Sequence, residues 1–130
     1  MRRRGRLRGR VDSAGPVTRL LVVDDHPAFR SALRELLERA GYDVVGEASD
    51  GASAVVTAEA LSPEAVLLDV GLPDSDGFDV CEELAASGIA VVMMSSRGRA
   101  DFADRLAVTS ARGFLSKGNL TPTAVDQLLS

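Results

Sequence analysis

The sequence has few of the residues that stabilise small secreted proteins or span membranes. Its single cysteine, Cys81, cannot form an internal disulfide, and in a helical segment it is predicted to be a small buried hydrophobe. No apolar run approaches the roughly 20 residues that cross a bilayer, and no apolar segment follows the N-terminal arginines as in a signal peptide. We therefore expect a soluble, cytoplasmic protein with one folded unit in its 130 residues.

The charges are divided unevenly along the chain. Residues 1–19 hold seven arginines and one acidic residue, Asp12, whereas the rest holds eight basic and eighteen acidic residues. Glycines interrupt the arginines and no apolar periodicity is present, so residues 1–18 are predicted to be a disordered basic tail. The tail is open to three explanations: a solvated extension, a start site upstream of a true first residue near Val17, or an electrostatic arm for nucleic acid or anionic lipid.

Short apolar runs alternate with segments of helical periodicity from Leu20 onwards. The predicted strands cover residues 20–23, 43–47, 65–68, 89–94 and 113–116. The helices that follow them begin near Pro27, Ala52, Gly77, Arg99 and Thr121. Five such βα units predict an α/β fold, a five-stranded doubly wound parallel sheet with helices on both faces.

Polar residues stand at the carboxyl ends of four of these strands. Asp24 and Asp25 follow the first strand, Asp69 the third, Ser95 the fourth and Lys117 the fifth. In open parallel sheets, ligand sites form beyond the carboxyl ends of the strands, where the strand order reverses. We therefore expect three carboxylates, a hydroxyl and an amine to meet at one edge of the sheet.

This set of groups indicates a particular chemistry. Three neighbouring carboxylates repel one another, so they either rise in pKa or bind a hard cation, and oxygen ligands with room for water favour Mg²⁺. A carboxylate beside Mg²⁺ and a lysine is suited to attack a phosphoryl group, since the added charge is shared. Asp24 and Asp25 are therefore interpreted as metal ligands in preference to a cap for the helix that Pro27 begins.

In combination these residues resemble the response-regulator receiver domains of two-component signalling. The similarity covers about residues 19–129: an acidic pair after strand one, D-x-x-x-P-x-x-D-G after strand three, serine after strand four and lysine after strand five. The stretches VVDDHP and GFLSKGNL are most similar to receivers that carry a LuxR- or NarL-type helix-turn-helix. The resemblance implies a CheY-like, flavodoxin-like (βα)5 receiver domain over residues 19–130.

The resemblance also implies the reacting residues. Asp69 would be the phosphoacceptor, and Ser95 and Lys117 would bind the phosphoryl oxygens, helped by backbone amides near Gly71. Ser95 and the aromatic Phe114, three residues before the lysine, would be the switch residues.

A magnesium site is implied at the same place. Its ligands would be Asp25, Asp69 and the backbone carbonyl of Gly71, with Asp24 acting through a coordinated water. Mg²⁺ is thus the expected cofactor.

The implied function is that of a stand-alone receiver with no output domain, because the ten residues after Leu120 are too few for a DNA-binding domain. A sensor histidine kinase or a small phosphodonor would phosphorylate Asp69, and the protein would signal in trans through helix four, strand five and helix five. Its target would be a downstream protein or a second receiver, with no membrane and no sequence-specific DNA binding by this chain. We expect no enzyme activity beyond Mg²⁺-dependent self-phosphorylation and dephosphorylation at Asp69.

Two other functions remain open. The missing output domain, together with Ser110 where the family usually has glycine, is compatible with a pseudo-receiver that binds a partner without phosphorylation. A phosphohydrolase of the haloacid dehalogenase type also uses an aspartyl nucleophile, but it has D-x-D after its first strand, where this chain has D-D-H, and carries a cap domain. Turnover of an external phosphoester would separate that enzyme from a receiver.

Some residues near the site have simpler interpretations. The D-S-D-G sequence at 74–77 approaches the spacing of an EF-hand loop, but Leu72 would be its first ligand and Pro73 would interrupt it. Asp76 is therefore predicted to cap a helix. His26 is predicted to be a turn or surface histidine.

Overall fold

The computed structural model describes residues 17–130, and most of the predicted basic tail, residues 1–16, lies outside this range. The elements are β1 (Arg19–Val23), α1 (Pro27–Arg39), β2 (Asp43–Ala48), α2 (Gly51–Leu61), β3 (Ala65–Asp69), α3 (Gly77–Ala86), β4 (Ala90–Ser95), a 3-10 turn (Arg99–Phe102), α4 (Ala103–Leu106), β5 (Gly113–Ser116), a second 3-10 turn (Lys117–Asn119) and α5 (Pro122–Leu129).

The five strands form one parallel sheet in the order β2-β1-β3-β4-β5. This confirms the predicted doubly wound architecture. The order reverses beside β1, which pairs with β2 on one side and with β3 on the other, so the carboxyl ends of β1 and β3 are neighbours. The predicted strand limits differ by one residue in places; β3 includes Asp69, and β4 begins at Ala90 rather than Ile89.

Side chains that alternate along the central strands form two cores, one on each face of the sheet. Leu20 and Val22 pack with α1 and α5, whereas Leu21 and Val23 pack with α2, α3 and residues 99–106, the 3-10 turn and α4 that we call the α4 segment. These four side chains are wholly buried, and burial of one such side chain contributes about 2 kcal/mol. Continuous apolar runs are required in β1 because both of its faces are covered.

Local signals fix the helix ends. Pro27 is at the start of α1, and Gly41 follows its end with φ 101°, a conformation that favours glycine. The side chains of Asp50, Asp76 and Thr121 accept hydrogen bonds from backbone N–H groups in the first turns of α2, α3 and α5. Each such cap contributes about 1 kcal/mol, and the cap predicted at Asp76 is confirmed.

The segment between β4 and β5 differs from the predicted helix. It forms a 3-10 turn followed by the four-residue α4, although the prediction was a helix from Arg99. Within the 3-10 turn and α4, only Phe102 and Leu106 pack against the core, while most other residues between β4 and β5 are exposed and Val108 projects into solvent. A short helix gains little from propensity alone, so two core contacts support a single turn.

Candidate functional site

The polar residues predicted at the edge of the sheet all lie there. Asp24 and Asp25 directly follow β1, and Asp69 and Ser95 are the last residues of β3 and β4. Lys117 directly follows β5. Because β1, β3, β4 and β5 are consecutive neighbours in a parallel sheet, their carboxyl ends form one row.

Lys117 joins the carboxylates of two different strands. Its Nζ lies 2.6 Å from Asp24 Oδ2 and 3.4 Å from Asp69 Oδ2, and its side chain is only 13% exposed. The Asp24 side chain is wholly buried. A buried carboxylate requires such a partner, because removal of one member of a buried pair leaves an uncompensated charge. Lys117 Nζ also lies 4.5 Å from the centre of the Phe29 ring.

The turn between β1 and α1 explains the position of the acidic pair. Asp24 Oδ1 accepts a hydrogen bond of 2.8 Å from the backbone N–H of His26, which is the N-cap residue of α1. The His26 side chain makes no capping hydrogen bond, and neither aspartate occupies the cap position. The alternative of an aspartate cap is therefore wrong, while Pro27 begins the helix as predicted.

The carboxylates have the arrangement of a cation site. One ligand atom from each of four residues lies within 4.8 Å of the others: Asp24, Asp25, His26 and Asp69. Within the described range, Asp24 Oδ2 and Asp25 Oδ1 are buried oxygens that make no aligned hydrogen bond. Their nearest cationic groups make only charge contacts, Lys117 with Asp24 and the His26 ring with Asp25. Buried carboxylate oxygens without aligned hydrogen bonds, in a cluster of three carboxylates, are suitable ligands for a hard divalent cation such as Mg²⁺.

Asp69 is buried at the centre of this cluster. Burial raises the pKa of Asp69, the Lys117 ammonium lowers it and the Asp24 carboxylate raises it again, so that it lies above its ordinary value. The backbone N–H of Gly71 donates a weak hydrogen bond of 3.3 Å to Asp69 Oδ1. A cation bound here would therefore contact a carboxylate whose negative charge Lys117 balances only in part.

Ser95 is the hydroxyl at this edge. It is buried at the end of β4, whereas the next residue, Ser96, is exposed. Its Oγ accepts a 3.0 Å hydrogen bond from the backbone N–H of Arg97. The preceding residue, Met94, pairs with Asp69 in the sheet, so the hydroxyl is carried on the strand next to β3.

The aromatic residue Phe114 points into the core from β5. It is buried, and its ring centre lies 5.7 Å from that of Phe102 in the 3-10 turn. Phe102 in turn lies 5.9 Å from Phe78 of α3. Tilted pairs at these distances are favourable, so β5, the α4 segment and α3 are connected through three aromatic rings.

The loop between β3 and α3 is held on one side by a residue whose role the sequence did not indicate. Both carboxylate oxygens of Asp74 accept hydrogen bonds from the first amides of α2, Gly51 N at 2.7 Å and Ala52 N at 3.1 Å. These bonds lower the pKa of Asp74. Gly77 closes the loop through a 3.0 Å hydrogen bond from its N–H to Val70 O. This anchoring fixes the backbone around Gly71.

A second network that the sequence did not reveal supports the β1–α1 turn. Arg30 donates from Nε to Glu47 Oε1 at 2.8 Å and from Nη1 to the backbone oxygen of Asp24 at 2.6 Å. Arg34 donates to the other carboxylate oxygen of Glu47, also at 2.8 Å. The only advance signal was the i, i+4 spacing of two arginines on α1, which is common on solvated helix faces.

The loop before β5 is tied to α3 by Glu82. Its carboxylate accepts from Thr109 Oγ1, Ser110 N and Ser110 Oγ at 2.6 to 2.8 Å. Ser110 has no left-handed backbone; Ser62 alone among the described non-glycine residues has positive φ. Cys81, one residue before Glu82, is wholly buried as predicted, and its Sγ lies 3.7 Å from Thr109 Oγ1.

Comparison with known proteins extends these observations. Residues 20–128 match the model of the response regulator receiver domain. The chain is 37% identical over 120 residues to the transcriptional regulatory protein PdtaR of Mycobacterium tuberculosis, covering 92% of this chain and 56% of that protein. It is 35% identical over 101 residues to the transcription regulator BvgA of Bordetella pertussis, covering 76% of this chain and 48% of BvgA. The chain thus spans about half the length of the curated relatives it matches.

Solved structures show the same similarity. The signal receiver domain of the response regulator NarL from M. tuberculosis superposes with a TM-score of 0.74 at 32% identity, over 87% of this chain and 93% of that one. The complex of CheX and CheY with BeF3 and Mg from Borrelia burgdorferi matches with a TM-score of 0.78 at 23% identity, over 92% of both chains, which shows a shared fold. No helix within residues 17–130 is long and apolar enough to cross a membrane.

Proposed function

Because the chain belongs to the response regulator receiver domain family of two-component systems, we propose that it is phosphorylated on Asp69 and signals by contact with another protein. The observation that carries this proposal is the position of Lys117, whose Nζ contacts the carboxylates of both Asp24 and Asp69. The Asp69 carboxylate is the nucleophile, and the Lys117 ammonium beside it is the cation that can stabilise the incoming phosphoryl group.

The reaction follows from these groups. A carboxylate oxygen of Asp69 attacks the phosphorus of a phosphohistidine or a small acyl phosphate, and the bond to the donor breaks with its electron pair leaving on the donor. Lys117 Nζ, already 3.4 Å from Asp69 Oδ2, shifts its charge towards the new phosphoryl oxygens. The Ser95 hydroxyl, at the end of the next strand, donates a hydrogen bond to another of these oxygens.

A bound Mg²⁺ completes the site in this proposal. Asp25, Asp69 and the backbone carbonyl of Gly71 would hold it directly, and Asp24 through a water. When bound, the ion shares the negative charge of the incoming phosphoryl group. The buried oxygen Asp25 Oδ1, which makes no hydrogen bond among the described residues, supports this assignment.

The signal would leave the site through the segment from α4 to α5. Ser95 Oγ, which accepts a hydrogen bond from Arg97 N, would also donate one to the phosphoryl group, so a shift of this hydroxyl towards the phosphoryl group would be passed to the backbone after β4. Phe114 and Phe102 connect the same segment to β5. The proposal also includes a sensor histidine kinase or a small phosphodonor as donor, a cytoplasmic location for this chain, output in trans, and either a downstream protein or a second receiver as the target.

The test is phosphorylation by acetyl phosphate with Mg²⁺, measured by intact mass spectrometry, together with an amide NMR titration using beryllofluoride. Wild type should gain one phosphoryl group, whereas Asp69→Asn should gain none. Asp43→Asn is the matched control, because this exposed aspartate starts β2 at the opposite edge of the sheet. The chain has no tryptophan, so NMR replaces fluorescence.

The NMR titration separates the receiver from the alternative pseudo-receiver. Shifts around Asp69, Ser95 and Phe114 in wild type, absent in Asp69→Asn, would support a phosphorylation switch. An unmodified wild-type mass with no beryllofluoride shifts would contradict the proposal and favour a module that binds its partner without phosphorylation.

A further inference from the structure

His26 adds a nitrogen to the carboxylate cluster. We propose that His26 is a direct ligand that makes this site prefer borderline divalent cations, such as Zn²⁺ and Co²⁺, over Mg²⁺. The inference rests on the metal site of the proposed function and concerns which ion that site selects.

The distances around the His26 ring suit a shared cation. Nδ1 lies 3.1 Å from Asp25 Oδ1 and 3.2 Å from Asp24 Oδ1. Adjacent ligands around a metal with bonds of about 2.1 Å lie about 3 to 3.4 Å apart in octahedral or tetrahedral geometry. The imidazole nitrogen and Asp25 Oδ1 thus already have the spacing of neighbouring ligands, with Asp24 Oδ1 beside them. Asp69 completes the group, with the four ligand atoms within 4.8 Å of one another.

One buried oxygen beside His26 makes no hydrogen bond within the described part of the chain. This atom is Asp25 Oδ1, and the His26 ring lies beside it, with Nδ1 at 3.1 Å. Asp24 Oδ2, in contrast, is already paired with Lys117 Nζ at 2.6 Å. Buried carboxylate oxygens are costly unless a hydrogen bond or a cation satisfies them. An ion between Asp25 Oδ1 and His26 Nδ1 would remove that cost at Asp25.

The backbone of His26 is fixed beside the cluster in an unstrained conformation. The His26 N–H is fixed to Asp24 Oδ1 at 2.8 Å, and the residue has extended backbone angles, as expected immediately before Pro27. His26 is the N-cap of α1 but makes no capping bond with its side chain, so its ring nitrogen remains available to the cluster. The side chain is 68% exposed, which gives a hydrated ion access from solvent.

The chemistry of the ligand predicts the selectivity. Mg²⁺ is a hard cation that prefers oxygen and retains water, so an imidazole adds little to its binding. Zn²⁺ and Co²⁺ bind imidazole nitrogen well. In that role the ring is neutral and the proton is on its other nitrogen. Loss of His26 should therefore affect the two classes of ion differently.

The experiment measures Mg²⁺, Zn²⁺ and Co²⁺ affinity by calorimetry on tag-free protein, for wild type, His26→Ala and Asp25→Asn. His26 is the only histidine of the chain, so the imidazole nitrogen signals in a ¹⁵N NMR spectrum with Zn²⁺ belong to it alone. We expect His26→Ala to lose about tenfold or more in affinity for Zn²⁺ and Co²⁺ and less than about twofold for Mg²⁺. Asp25→Asn should weaken all three ions.

The outcomes distinguish this inference from the proposed function. Equal losses for all ions in His26→Ala, no loss, or an unshifted Nδ1 signal with Zn²⁺ would overturn the role of His26 and leave the receiver function intact. Zn²⁺ binding that depends on His26, without Mg²⁺ binding, would support the ligand and contradict the Mg²⁺-dependent receiver. A wild type that binds none of the ions would reject both.

Discussion

Asp76, the cap of α3, forms an ion pair with Arg105 of α4, with 2.8 Å between Asp76 Oδ2 and Arg105 Nη2. The other oxygen of Asp76 accepts from Phe78 N, and the Arg105 guanidinium lies 4.6 Å from the centre of the Phe78 ring. The start of α3, next to the loop between β3 and α3, is thereby joined to α4, the short helix that begins the segment proposed to carry the signal.

This pair predicts a specific pattern of unfolding free energies. Arg105→Gln should cost less than about 1 kcal/mol, because both side chains are partly exposed. Asp76→Ala should cost about 1 kcal/mol more, since it also removes the cap, whereas Asp76→Asn keeps a capping oxygen. Urea unfolding of the single and double variants measures the coupling, and additive losses would show that the two residues do not interact.

Asp69→Asn should stabilise the protein when no divalent cation is present. Burial and the Asp24 charge both oppose the Asp69 carboxylate, so a neutral amide should raise the unfolding free energy by on the order of 1 kcal/mol. Mg²⁺ should raise the melting temperature of wild type and should do so less in the variant, because it binds only the assembled cluster. Melting temperatures that respond to neither change would mean that the carboxylates do not act together.

Glu47 should give the protein a specific loss of stability in acid. Hydrogen bonds from Arg34 and then Arg30 hold the pKa of Glu47 below its ordinary value of 4.5. A depressed pKa in the folded state stabilises it above that ordinary value, and the contribution disappears as the pH falls through the lower folded-state pKa. The stability difference between wild type and Glu47→Gln should therefore be constant near neutral pH and shrink below about pH 4.5.

A matched control for this pH profile is Glu35→Gln. Glu35 pairs with Arg39 on α1, the helix that also carries the two arginines bound to Glu47, but both of these side chains are mostly exposed. This variant should differ little from wild type at any pH, since such pairs contribute little. Equal pH profiles for the two variants would contradict the role given to Glu47.

Gly77→Ala should disturb the backbone that carries Asp69. A Cβ atom at Gly77 would lie 2.6 Å from the backbone oxygens of Asp69 and Val70, so the chain would have to move. We expect a loss of about 2 kcal/mol or more in unfolding free energy and weaker Mg²⁺ binding. Gly98→Ala is the control, because a Cβ there meets no described atom within 4 Å. Similar stability in the two variants would refute the close packing.

The sequence predicted the charged members of the site because each one directly follows an apolar strand. Parallel topology then brings the strand ends together without any detail of packing. The position of Asp24, Asp69 and Lys117 at the ends of predicted strands was therefore enough to locate them. The structure brings these three side chains into contact.

The supporting contacts had no comparable signal. Arg30 with Glu47, Gly51 with Asp74 and Asp76 with Arg105 are 17, 23 and 29 residues apart in sequence. Each pair depends on how separate elements pack, which no local pattern encodes. The helix predicted from Arg99 begins with a 3-10 turn instead, because periodicity does not show how few residues of this segment reach the core.

The burial of Cys81 beneath Thr109 has a practical consequence. Burial raises the pKa of its thiol, so a modifying reagent reacts only when α3 and the segment before β5 separate. The chain's single thiol is therefore a native reporter of transient separation between α3 and the segment before β5, which is part of the region proposed to carry the signal. Its alkylation rate follows the free energy of that local opening, rather than that of global unfolding, wherever the segment opens more easily than the rest of the domain.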